Sequence, residues 1–112
     1  MATLNIAHIQ ELKDIMEDAF DDLVATYIQD SEDKLKLLKK EVKNIDDQAI
    51  CILAHSLKGS SLNICAEDLA SIYKQIEDSS RINDLSTIEP LRVQAMSEFE
   101  NVKVALRTIH TL

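Results

Sequence analysis

Apolar residues recur along this chain at three- and four-residue intervals, the period of helices that bury one face. The first stripe, Leu4, Ile6, Ile9, Leu12, Ile15 and Met16, predicts a short helix over residues 4–16. The second, Phe20, Leu23, Val24, Tyr27, Ile28, Leu35, Leu38 and Val42, predicts a long helix over about 20–43 with charged residues on its other face. Asp46 or Asp47 offers an N-cap, and a third helix is expected over about 47–64. Beyond Leu57, Ser61 and Ile64 the stripe lands on Glu67 and Asp68, and it resumes only at Leu69, Ile72, Tyr73 and Ile76. That phase slip predicts a turn at 65–68 and a fourth helix to about Ser80. Residues 81–87 are polar and read as a loop. A last helix is expected from Ser86 or Thr87, with Pro90 in its first turn, where a missing N–H costs nothing. It would bury Leu91, Ala95, Met96, Phe99, Val102, Leu106 and Ile109. There is no internal repeat. The expected fold is all-α, an antiparallel four-helix bundle with a short additional N-terminal helix, as one domain over 1–112.

Composition supports that reading and narrows function. One Gly, one Pro and no Trp in 112 residues leave too little turn chemistry for a sheet protein. A formal charge of -8 argues against binding nucleic acid or an anionic membrane surface. No apolar run is long enough for a transmembrane helix, and residues 1–5 lack a signal-peptide layout. Cys51 and Cys65, on one helix, would stand ~20 Å apart and could not bridge. A reduced, cytoplasmic protein is expected. No strongly apolar face is left over for self-association, which favours a monomer.

The single glycine, Gly59, falls inside the third helix, where glycine costs ~1 kcal/mol relative to alanine. It lies one turn after His55, with Lys58 between them on the same face. On a wheel of ~100° per residue, Ile50, Leu53, Leu57 and Ile64 gather opposite His55. The core is therefore expected behind the histidine, and the imidazole in solvent. Cys51, Ile52 and Leu62 surround it on the outer face. They are read as a docking surface with Gly59 at its lowest point, unless Ile52 and Leu62 pack on neighbouring helices.

A neutral imidazole could attack a phosphoryl group, with Lys58 offsetting charge on the oxygens. The chain lacks the rest of such a reaction centre. One glycine cannot make a nucleotide-cradling loop, no carboxylate is expected beside His55, where Ser56 stands instead, and no Asp/Asn cluster is placed to hold Mg²⁺. Cys51 and His55, at i and i+4, have no evident third metal ligand. A Cys-His dyad has no orienting group or oxyanion hole. His8 and His110 are expected to be solvated, and residues 30–43 to be a solvated face with i, i+4 pairs.

The segment His55-Ser56-Leu57-Lys58-Gly59-Ser60-Ser61 resembles the central signature of histidine-containing phosphotransfer (HPt) domains: His, any residue, Leu, Lys, Gly, two small residues. Residues 66–78 resemble the helix that follows it there, and 20–38 the one that precedes it. The resemblance implies that His55 is phosphorylated, that Lys58 stabilises the phosphoryl group and that Gly59 leaves room for a receiver's aspartate-bearing loop. Glu77 matches a position, commonly Glu or Gln, that borders the site, and is counted with Cys51, Ile52 and Leu62 in the implied docking surface. A sensor or hybrid histidine kinase and response-regulator receivers are the implied partners. They would supply Mg²⁺ and the catalytic aspartate to a chain that binds no cofactor and has no kinase activity of its own. A free-standing bacterial module is implied. Cys65 stands where the family often has a helix-ending glycine. The alternatives are a helical adaptor that binds a receiver-like partner through the surface around His55 without being phosphorylated, and an unrelated metal-dependent enzyme.

Overall fold

The turns that join the helices of this protein are built without glycine. The computed structural model describes residues 3–111, which form α1 (Ile6–Met16), α2 (Ala19–Lys43), α3 (Asp47–Asn63), α4 (Glu67–Arg81) and α5 (Leu85–Thr111), with no strand among the described residues. Asn5 Oδ1 caps α1 by accepting from the His8 N–H at 3.2 Å, and Asp46 Oδ1 caps α3 by accepting from the Ala49 N–H at 3.1 Å. Glu67 and Asp68 open α4, where acidic side chains complement the helix dipole.

The four connections carry Glu17, Ile45, Cys65 and Asn83, all at positive φ. Glycine usually fills such positions because a Cβ costs energy there. Three of the turns are closed in the Schellman manner, with the Asp46, Ala66 and Asp84 N–H groups donating to the Glu41, Ser61 and Ser79 carbonyls at 3.1, 2.8 and 2.9 Å. Cys65, with φ 65°, itself takes the left-handed conformation expected of a glycine, so α3 ends at Asn63.

Packing joins the four longer helices in a closed cycle, α2 to α3 to α4 to α5 and back to α2, while α1 packs on α2. Phe20, Leu38, Ile50, Leu57, Leu69, Tyr73, Ile76, Ile88, Val102 and Leu106 fill the core. Within it the Tyr27 and Ser61 hydroxyls meet at 3.0 Å, and Phe99 approaches the Tyr27 ring edge-on. No helix among the described residues is long and apolar enough to cross a membrane. Both cysteines are free.

Some expectations fail for physical reasons. Ile6 and Ile15 are exposed, Ile15 to 79%, because α1 lies outside the helix cycle, against α2 and, through Lys13 Nζ donating to the Ile109 carbonyl at 2.9 Å, against the end of α5, and needs only a narrow stripe. Met96 is also exposed, at the rim of a groove rather than in the core. The 65–68 turn is shorter, since Glu67 and Asp68 already belong to α4. The 81–87 loop shrinks to 82–84. Ser86 and Thr87 are drawn into helix, Ser86 Oγ donating to Asp84 at 2.6 Å and Thr87 Oγ1 to Ser79 at 2.9 Å, with Ile88 buried behind them. Pro90 consequently falls at the sixth position of α5, beyond the first turn, and withholds the N–H that would meet the Ser86 carbonyl. The side chain of His110 lies outside the described residues.

Candidate functional site

On α3, His55 points away from a buried row of Ile50, Ala54, Leu57 and Ser61, and its side chain is 65% exposed. Cys51 is half-buried, Ile52 is 63% exposed, and Leu62 is 53% exposed where it lines a shallow surface concavity with Glu67, Ala70 and Lys74 of α4. Gly59 lies open on the same face: a Cβ built on it would meet nothing within 4 Å. Nothing in the chain's own packing demands glycine there.

The site is not confined to one helix. Glu77 of α4 lies beneath His55, only 2% exposed, with Oε2 at 2.7 Å from His55 Nδ1. Lys58 Nζ donates to its Oε1 at 2.8 Å, and Arg81 Nη2 donates to Oε2 at 2.9 Å. One buried carboxylate thus gathers an imidazole, an ammonium and a guanidinium. From α2, Lys34 Nζ donates to Ser56 Oγ at 2.7 Å and to Asp30 Oδ2 at 3.0 Å. Two expectations are corrected. A carboxylate does stand beside His55, although none is near it in sequence. Glu77 is not part of an exposed docking surface but the buried anchor under it.

Electrostatics assigns protons to this cluster. Burial pushes the Glu77 carboxyl up, but hydrogen bonds from Lys58 and His55, then the charges of Lys58 and Arg81, outweigh it, and the net shift is down from 4.5. At neutral pH Glu77 is a carboxylate, which only accepts hydrogen bonds. His55 Nδ1 must therefore carry the proton it shares with Glu77. In the neutral ring the lone pair is then on Nε2, which has no hydrogen-bond partner among the described residues. The Cys51 side chain and the charge of Glu77 both raise the Arg81 pKa.

The resemblance places Glu77 at the border of the site; geometry also points to it, and to Arg81, which falls in the loop expected over 81–87. His55 lies eleven residues before Ala66, in the α3–α4 turn, and Glu77 eleven after it; Cys51 and Arg81 lie fifteen on either side. Two helices folded back on each other about that turn bring such residues side by side. Among the described residues no group of three or more His, Cys, Asp and Glu could hold a metal ion. His8 is exposed at the start of α1. On α2, Lys34 bonds Asp30 one turn away, but it also crosses to α3 and is not purely a solvated residue.

The model of the Hpt domain family matches residues 22–105 of the chain. Among solved structures, the crystal structure of histidine-containing phosphotransfer protein B (HptB) from Pseudomonas aeruginosa PAO1 superposes with a TM-score of 0.93 at 32% identity, covering 97% of this chain and 95% of that one. No match was found among the curated proteins.

Proposed function

The chain belongs to the Hpt domain family, and from that premise we propose that it is a phosphocarrier in a two-component phosphorelay, with His55 as the residue that takes up and gives up the phosphoryl group. One observation carries this reading: an exposed imidazole whose Nδ1 is held by a buried carboxylate and whose Nε2 is free. The donor is a phosphoaspartate of a receiver domain or hybrid kinase, and the acceptor is the aspartate of a response regulator. The Nε2 lone pair attacks phosphorus; the N–P bond forms as the bond from phosphorus to the aspartyl oxygen breaks, and aspartate leaves as a carboxylate. The Nδ1 proton stays in place, so the ring becomes cationic. The Glu77 carboxylate already faces that charge and stabilises it as it develops.

Lys58 spends one of its three ammonium donors on Glu77 and keeps the others for the phosphoryl oxygens. Gly59 gives the incoming loop its closest approach, and Cys51, Ile52 and Leu62 supply apolar contact around it. Mg²⁺ and the aspartate come from the partner, and the chain has no kinase activity of its own. The closed helix cycle is read as an antiparallel four-helix bundle, with α1 as the additional helix, forming one domain over 1–112. It acts as a monomer in the cytoplasm.

Incubation with a receiver phosphorylated on aspartate tests this. The chain is expected to take up an acid-labile, base-stable label that His55→Gln abolishes while its circular dichroism is unchanged. Such a label persisting in His55→Gln would overturn the assignment.

A further inference from the structure

The α2–α5 groove lies across the helix cycle from the α3–α4 edge that carries His55. It encloses about 310 Å³. Its floor is apolar, with Leu35 and Phe99 buried, and Met96 stands half open to solvent at its rim. Its walls are cationic. Four of the twelve Lys and Arg residues of this acidic chain line it: Lys36 and Lys39 from α2, Arg92 and Lys103 from α5.

These cations are not all spent on local acids. Lys103 lies over the Phe99 ring and takes both lining carboxylates, Glu32 at 3.6 Å and Glu100 at 2.9 Å. Lys36 makes no ion pair or side-chain hydrogen bond among the described residues; Lys39 makes none either, although its charge helps to hold the Glu89 carboxyl down. Arg92 is only 8% exposed, and Glu89 holds its Nε and Nη2. Its Nη1, however, donates to the thioether of Met96 at 2.9 Å. A thioether is a weak acceptor. The groove wall thus presents a desolvated guanidinium donor that a carboxylate would satisfy better, directly beside an apolar floor.

An apolar trough between two helices, rimmed by cations, has the form that receives a helix with an apolar and acidic face. We propose that the α2–α5 groove docks an acidic amphipathic helix of a partner protein. Its apolar side chains would rest on Leu35, Met96 and Phe99, and its carboxylates would reach Arg92, Lys36 and Lys39. Lys34, which reaches toward the histidine site, is two residues from Lys36 and so lies on nearly the opposite side of α2. Docking in the groove therefore leaves the His55 face open, and one chain can hold this partner while a second protein approaches the histidine.

The probe is a capped amphipathic helical peptide of about 15 residues, with Leu at three- and four-residue spacing flanked by Glu, and a counterpart in which every Glu is Lys. Titration is followed on the methionine methyl resonances of the full chain, with Met16 as internal control. The acidic peptide is expected to shift the Met96 methyl saturably with Kd below about 1 mM at low salt. Binding should weaken at least about tenfold in the Lys36→Glu/Lys39→Glu variant, whose sites are exposed and leave the fold intact, and likewise in Arg92→Gln. His55→Gln should bind as wild type does. No saturable shift at about 1 mM, equal binding of the lysine peptide, or undiminished affinity in Lys36→Glu/Lys39→Glu would overturn the proposal.

Discussion

Glu77→Gln keeps the shape of the side chain that ties α3 to α4 and removes its charge. In the wild type this carboxylate accepts from His55 at 2.7 Å, Lys58 at 2.8 Å and Arg81 at 2.9 Å while 2% exposed. A hydrogen bond to a charged group contributes about 1.5–3 kcal/mol when shielded from water. Lys58 is largely covered and its bond counts nearly in full; His55 and Arg81 are mostly exposed, and solvent screens their share. Glutamine offers one carbonyl oxygen and turns an amide donor toward two cations, although it also relieves the cost of burying a charge. The expected loss is about 1–2 kcal/mol at pH 7, read from urea unfolding. Because folding lowers the Glu77 pKa, the carboxylate's contribution is complete above its unfolded value and is lost as pH falls through the folded one. The gap between wild type and Glu77→Gln should therefore close as pH drops below about 4.5. Phosphoryl uptake should slow about tenfold, the factor corresponding to exchanging a charge-assisted bond to the imidazolium for a neutral one. A gap that persists undiminished at about pH 3, or a variant as stable as wild type at pH 7, would refute this account of the cluster.

Gly59→Ala fills open space on a helix and should raise stability by about 0.5–1 kcal/mol in thermal unfolding. Gly59→Gln should slow transfer from a receiver without loss of stability; an unchanged rate would remove the case that glycine makes room for a partner. Ile45 is a β-branched residue at φ 55° with an exposed side chain, so Ile45→Gly should stabilise by about 1 kcal/mol in urea. A loss there would mean the isoleucine packs in a way its exposure denies. Tyr27→Phe strips the core hydroxyl that meets Ser61 and should cost about 1–2 kcal/mol, whereas undiminished stability would show that the pair is not needed.

Much of this molecule is legible in its pattern of residues. Helix count, most boundaries and the outward direction of His55 follow from apolar spacing, because a helix whose stripe is buried against neighbours must turn its other face to solvent. Misreadings concentrate where a short-range rule met a longer-range partner. The last helix, expected from Ser86 or Thr87, starts at Leu85, with Ser79 of α4 engaging the Thr87 hydroxyl. Ile15 looks like core until α1 proves to lie outside the helix cycle with only one face covered.

The same division runs through the site. His55, Lys58 and Gly59 are neighbours on one helix, so their shared face is a property of spacing and was determined by the sequence alone. Glu77 is twenty-two residues from His55, and no local rule says which acid of a strongly acidic chain will be buried beneath it. That depended on how far α3 and α4 run back from their turn at Cys65, a residue without the glycine that would have marked it. Tertiary packing decided which carboxylate accepts from Nδ1, and with it which ring nitrogen is left without a partner among the described residues, because hydrogen bonding acts over about 3 Å wherever the chain brings its partners together.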